Sequence, residues 1–268
     1  MESPTHPAPL KNANAEPLFA IIVMLVAGIV ASALAAPALQ HYQGHFRMVG
    51  LNEEETNRIR ADANDPIAWA IERGQRWDQI FRNASLQLGL YGVILGAVLG
   101  LSEGLLIRSV PRALLFSIVL AACGAVGGIL AAVAESAFGV MMGDRAGTEP
   151  ALLTKLTELT MPKSDLLTLA MHISAFVIIG MSLGLGFAVL TRKWSVILRS
   201  AGGGIVAGMV FLPLSMAIPQ LQNFDTNLFV PEGLTSKLLF LILAGGLIGL
   251  CVGRAPRRVK QSYDVPAD

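Results

Sequence analysis

The sequence predicts an all-α integral membrane protein, a polytopic bundle of about six transmembrane helices, and three observations carry that prediction. Hydrophobic residues make up 53% of the 268-residue chain and charged residues 15%, whereas an ordinary soluble domain is roughly a quarter charged. The charge deficit falls in blocks: Leu18 to Ala36, Leu86 to Ile107, Ala113 to Ala134, Leu166 to Leu190, Ser200 to Ile218 and Leu238 to Gly253. Each is about 16 to 25 residues long, and roughly 20 helical residues cross a hydrocarbon core of about 30 Å. Finally, the connections between blocks alternate in charge, basic and short in one set, acidic and longer in the other. Six such blocks leave too little polar sequence to cover a soluble core.

Residues 1–17 form a polar N-terminal tail. The first block carries Ala27, Ala31 and Ala35 on one stripe and ends in Ala33-Leu34-Ala35-Ala36-Pro37, a small-residue run like that of a cleavable signal. Its apolar stretch exceeds the 7–15 residues of a signal peptide, so an uncleaved anchor is expected. The largest polar segment, 37–85, follows. Asp65-Pro66 is a helix start, with Asp as the cap and Pro at the first helical position. Ile67, Ala70, Gly74, Trp77, Phe81, Ala84 and Leu88 then alternate at spacings of three and four, a seam that needs a covering partner. The helix should run straight into the second span. Residues 67–88 are therefore expected to be covered by the chain's own Asn52 to Asn64 segment folded back, by the membrane surface, or by docking on a second copy of the chain or another protein.

The first hairpin, 86–134, opens with Gly92, Gly96, Gly100 and Gly104, followed by Arg108 and Arg112. A glycine every fourth residue makes a shallow groove along one helical face, where a neighbouring backbone can approach. After the 135–165 loop, in which Leu152, Leu153, Leu156 and Leu159 suit an interfacial helix, the second hairpin covers 166–218. A displacement of 84 residues lays Gly96, Gly100, Gly104 and Arg108 over Gly180, Gly184, Ala188 and Arg192, and Gly124 over Gly208. Residues 219–237 read as a loop. The sixth span, 238–253, repeats the stripe with Gly245, Gly249 and Gly253 and runs into Arg254, Arg257 and Arg258 in the basic tail 254–268. This recurrence predicts parallel hairpin repeats about an axis along the membrane normal, the third hairpin being split between the sixth span and the first. The stripes resemble the glycine-rich helical hairpins of bacterial membrane proteins, and no functional residue carries over from that resemblance.

Arg108, Arg112, Arg192, Lys193 and Arg199 fill two short connections that contain no acid. Positive charge in short loops marks the cytoplasmic side, so both termini should be cytoplasmic and the acidic connections outside, in a bacterial cytoplasmic membrane. Trp69, Trp77 and Trp194 fall at or beyond span boundaries, where indole rings anchor at the lipid headgroups. The two cysteines, Cys123 and Cys251, fall inside spans, so no disulfide framework is expected.

The chain has no His-Glu-x-x-His metal helix, Walker loop, Gly-x-Ser-x-Gly elbow or paired intramembrane aspartates, and no enzyme activity or cofactor is expected. Glu103 sits within the glycine stripe about one turn before the basic edge. A carboxylate there must face protein or water, either as a proton or cation site or as a partner of Arg108, Arg112 or Arg199. His172, in the fourth span, has no charged neighbour within six positions and reads as a packed hydrogen-bonding element or a relay residue. Glu135 reads as a boundary residue. His41 and His45 share a helical face but make only half of a structural zinc site, so no metal is expected. The sequence therefore points to a tightly packed, non-enzymatic membrane component in contact with lipid, docking a partner or a second copy through 67–88, with no nucleic-acid partner. A small-solute or ion transporter built on the hairpin repeats is the alternative.

Overall fold

The computed structural model describes residues 15–42, 45, 66–143, 163–217 and 233–254, all but the turns and the isolated His45 in α-helix. Six helices follow one another: α1 Ala15–His41, α2 Pro66–Leu106, α3 Val110–Gly143, α4 Lys163–Thr191, α5 Ser195–Ala217 and α6 Leu234–Gly253. Five of them contain stretches long and apolar enough to cross a membrane: Pro17–His41, Phe81–Leu106, Val110–Ala137, Leu169–Thr191 and Leu234–Gly253. The apolar stretch found in α5 is shorter, Ser195–Phe211, although the helix as a whole has 23 residues. The Asn52 to Asn64 segment and the Leu152 to Leu159 face lie outside the described residues, as do the seam side chains of Ile67, Ala70, Gly74 and Trp77.

Helix ends follow local chemistry. α2 begins at Pro66, which lacks an N–H that the first turn could not satisfy anyway. Its 41 residues correspond to about 60 Å at 1.5 Å per residue, so α2 projects roughly 20 Å beyond its own spanning stretch. At the other end Arg108 takes a left-handed backbone with φ 55, its N–H bonds to the Leu105 carbonyl and Ser109 N–H bonds to that of Gly104. These two bonds reproduce the Schellman pattern, normally closed by glycine. Ser109 then accepts from Ala113 N–H at 2.9 Å and starts α3. Arg192 adopts the same left-handed conformation, φ 57, in the α4–α5 turn. α1 continues past Pro37 to His41, about one turn beyond the expected end of the first block.

Each helix packs against its neighbours in chain order, and α6 returns to α1, closing a six-membered ring. The most extensive interfaces are α2–α3, α1–α6 and α4–α5, and the lighter ones lie between those pairs. Size is partitioned on α1 in a way opposite to a water-soluble helix: Ala27, Ala31 and Ala35 are buried, while Leu18, Ile22, Val26, Val30 and Leu34 are exposed. Lipid imposes no penalty on an outward leucine, whereas small inward residues let backbones approach. The ring interior holds Leu88, Leu95, Leu99, Leu120, Leu183 and Ile248, all fully buried.

Candidate functional site

Glycines set how closely the helices meet. A methyl group added at Gly92 would overlap the carbonyl of Gly124, and one at Gly124 would overlap the carbonyl of Gly92. Along the same face Gly96 lies on Leu120, Gly100 on Phe116 and Ser117, and Gly104 on Ala113. In the α4–α5 hairpin Gly180 lies on the Ser200 carbonyl, Gly184 on Ile197 and Gly208 on Ile173. The two hairpins are not superimposable residue for residue. Gly104 meets the residue five positions beyond Arg108, and Gly184 meets the residue five positions beyond Arg192 although it starts one turn further back. In the third interface Gly245 lies on Gly28, Gly249 on Met24 and Gly253 on Ile21. Gly28 lies next to Ala27 in the alanine stripe, and no glycine spacing within α1 marks it.

Against these backbone contacts stand a few buried polar groups. The single hydroxyl proton of Ser32 on α1 is shared between the Gly28 carbonyl, 2.8 Å from Oγ, and the Leu241 carbonyl, 2.7 Å away. Tyr91 on α2, fully buried, donates to the same Leu241 oxygen at 3.0 Å. One α6 carbonyl thus ties together three helices, which matters more in lipid than at a wet surface because no water competes. Lys237 falls in the expected 219–237 loop, but the structure places it inside α6, fully buried. Its ammonium donates to Gln40 Oε1 at 2.8 Å. The charged head thus finds its acceptor near the C-terminal end of α1, and a span boundary drawn at the first charge excludes this residue.

Glu103 and His172 are therefore not the only strongly polar residues within the spans. Both are buried, Glu103 on α2 and His172 on α4. The His172 ring stacks on Phe211 with centroids 5.2 Å apart and meets Phe240 edge-on at 5.5 Å. Phe176 and Phe240, 4.6 Å apart, extend this aromatic cluster between α4, α5 and α6. Glu135 lies at the boundary of its span, Val110–Ala137, as its sequence position suggests, and is completely buried there. Its two carboxylate oxygens and the Ser85 hydroxyl have no hydrogen-bond partner among the described residues. Glu103 and His172 do not adjoin in sequence or helix, and the structure assembles no single cluster from them.

At the opposite edge, Arg199 donates to the Arg254 carbonyl at 2.5 Å, tying the start of α5 to the end of α6. Trp194 is exposed in the α4–α5 turn beside Arg192. Tyr42 lies edge-on to both His41 and His45, at 5.1 and 5.8 Å, and among the described residues no group of three or more metal-ligating side chains gathers. Cys123 and Cys251 are free thiols. The chain matches no family model, no curated protein and no solved structure.

Proposed function

We propose that this chain is a non-enzymatic membrane scaffold in a bacterial cytoplasmic membrane, built from three parallel helical hairpins, that docks a protein partner or a second copy of itself through the outer part of α2. The observation that carries this reading is the combination of a ring interior filled by buried leucine and isoleucine with a helix that continues about 20 Å past its span. A filled axis suits a body that holds shape, and the overhang offers a surface for holding something else. The hairpin repeat is supported by the shared left-handed arginine at both cytoplasmic turns and by glycine contacts in all three extensive interfaces. The same glycines would then act as a zipper, and the arginines would mark the cytoplasmic edge with both termini on that side. α1 serves as a permanent anchor here, because it supplies the partner surface for α6.

Photoreactive amino acids placed at positions 70, 77 and 81, activated in intact cells, test the docking role. A discrete adduct with one protein species, or with the chain itself, is expected at one or more of these positions. Lipid adducts alone at all three would overturn it. A second reading, a small-solute or ion transporter, is favoured by the buried polar groups Lys237, Glu135 and Gln87. Ion flux into liposomes carrying the purified chain, absent from protein-free liposomes, would establish that reading instead.

A further inference from the structure

Glu135 is a carboxyl in a setting that does not support a charge. It is wholly buried, and neither of its oxygens accepts a hydrogen bond from any described residue. An ionised carboxylate removed from water without a partner costs many kcal/mol, and in practice such a group is neutralised. Its surroundings follow from the packing register. Gly128 is seated on the Leu88 carbonyl and Gly127 on Ser182 and Ile179, so two turns further along α3, Glu135 lies where the outer ends of α2 and α4 converge. The ionisable side chains described on those two helices at that end are Asp78, Arg82 and His172. Arg82 and Asp78 are committed to each other at 2.9 Å and are half-exposed. His172 is packed against Phe211 and Phe240. The register places Ser85 opposite Ala131 and Ala132, about one turn inward of Glu135, and its hydroxyl is likewise without a partner.

We propose that Glu135 is a proton-binding site: its carboxyl stays undissociated within the closed bundle and gives up its proton only when water reaches that end of α3 through the lighter α3–α4 seam. The proposal does not rest on either functional reading given above. A neutral carboxyl needs no counter-charge, whereas the carboxylate left on opening is acceptor-only and takes its donors from water or the Ser85 hydroxyl. Proton loss leaves a carboxylate that the closed site cannot hold, so charge and closure exclude each other.

The test is infrared spectroscopy of the full chain in lipid nanodiscs at neutral pH, comparing wild type with Glu135→Gln. The expected result is the carbonyl stretch of one undissociated carboxyl in the wild type, lost completely in the variant. A carboxylate band in its place overturns the proposal. So does a carboxyl signal that disappears when Na⁺ or K⁺ is added at fixed pH, which would assign the site to a metal cation. Should Glu135→Gln fail to assemble, dicyclohexylcarbodiimide applied to the wild-type chain supplies the second measurement. The carboxyl proton passes to a carbodiimide nitrogen as the carboxyl oxygen bonds the central carbon. An adduct mapped to Glu135 supports the proposal, and an unmodified Glu135 in acidic buffer overturns it.

Discussion

Replacing Gly92 with alanine isolates the role of backbone contact between α2 and α3. The added methyl would overlap the oxygen, carbon and Cα of Gly124, all main-chain atoms of a helix, so no side chain can swing aside. A carbon needs about 3.3 Å from a carbonyl oxygen, and the interface would have to open by more than roughly 1 Å. Overpacking of this kind costs typically 1–3 kcal/mol, and a rigid obstacle places Gly92→Ala at the upper end, about 2–3 kcal/mol. That is a shift of roughly 30- to 150-fold in the folding equilibrium, at a factor of ten per 1.4 kcal/mol. Gly202→Ala is the matched control. A methyl there meets nothing within 4 Å, and Gly to Ala in a helix interior is worth up to about 1 kcal/mol of stabilisation. Reversible unfolding in mixed detergent micelles measures both. Equal stability of Gly92→Ala and wild type, with a loss in Gly202→Ala, would refute backbone contact as what limits this interface.

Three further outcomes are expected. Phe240→Ala empties the centre of the aromatic cluster and should cost about 3–5 kcal/mol, whereas Leu105→Ala, at a lipid-facing position 73% exposed, should change stability by less than about 0.5 kcal/mol; the same unfolding assay distinguishes them. Ser32→Ala and Tyr91→Phe each remove one donor from the Leu241 carbonyl and should each cost roughly 1 kcal/mol, with measurable coupling in a double-mutant cycle because they share an acceptor. Arg108→Asn should be tolerated, since asparagine accepts the left-handed conformation, while Arg108→Val should lose about 1–2 kcal/mol, read as a drop in melting temperature.

The helical membrane architecture was legible because its cause is local: charge-poor blocks of spanning length have one stable form in lipid. The start at Pro66 was legible for the same reason, since proline and its preceding aspartate act within one turn. Other features depend on partners distant in sequence. Nothing near Lys237 announces that Gln40, almost two hundred residues earlier, will receive its ammonium. Glu135 reads as a boundary acid until α2 and α4 are placed around it, and Tyr91 looks like one more apolar residue until Leu241 is brought opposite. The glycine spacing could be read directly, but which carbonyl each glycine meets could not. The one-turn slip between the two hairpins shows that identical spacing does not fix identical register.

α2 runs from Pro66 to the Arg108 turn without a break, and its apolar half meets α3 backbone to backbone at Gly92, Gly96 and Gly100. Such a rod has no joint. A sideways push on the projecting end turns the buried part by the same angle, and α3 must turn with it because the two backbones touch. A displacement at the Pro66 end is therefore geared to the Arg108 turn at the other, and it is taken up at the lighter seams, α1–α2 and α3–α4, where the hairpin meets the rest of the ring.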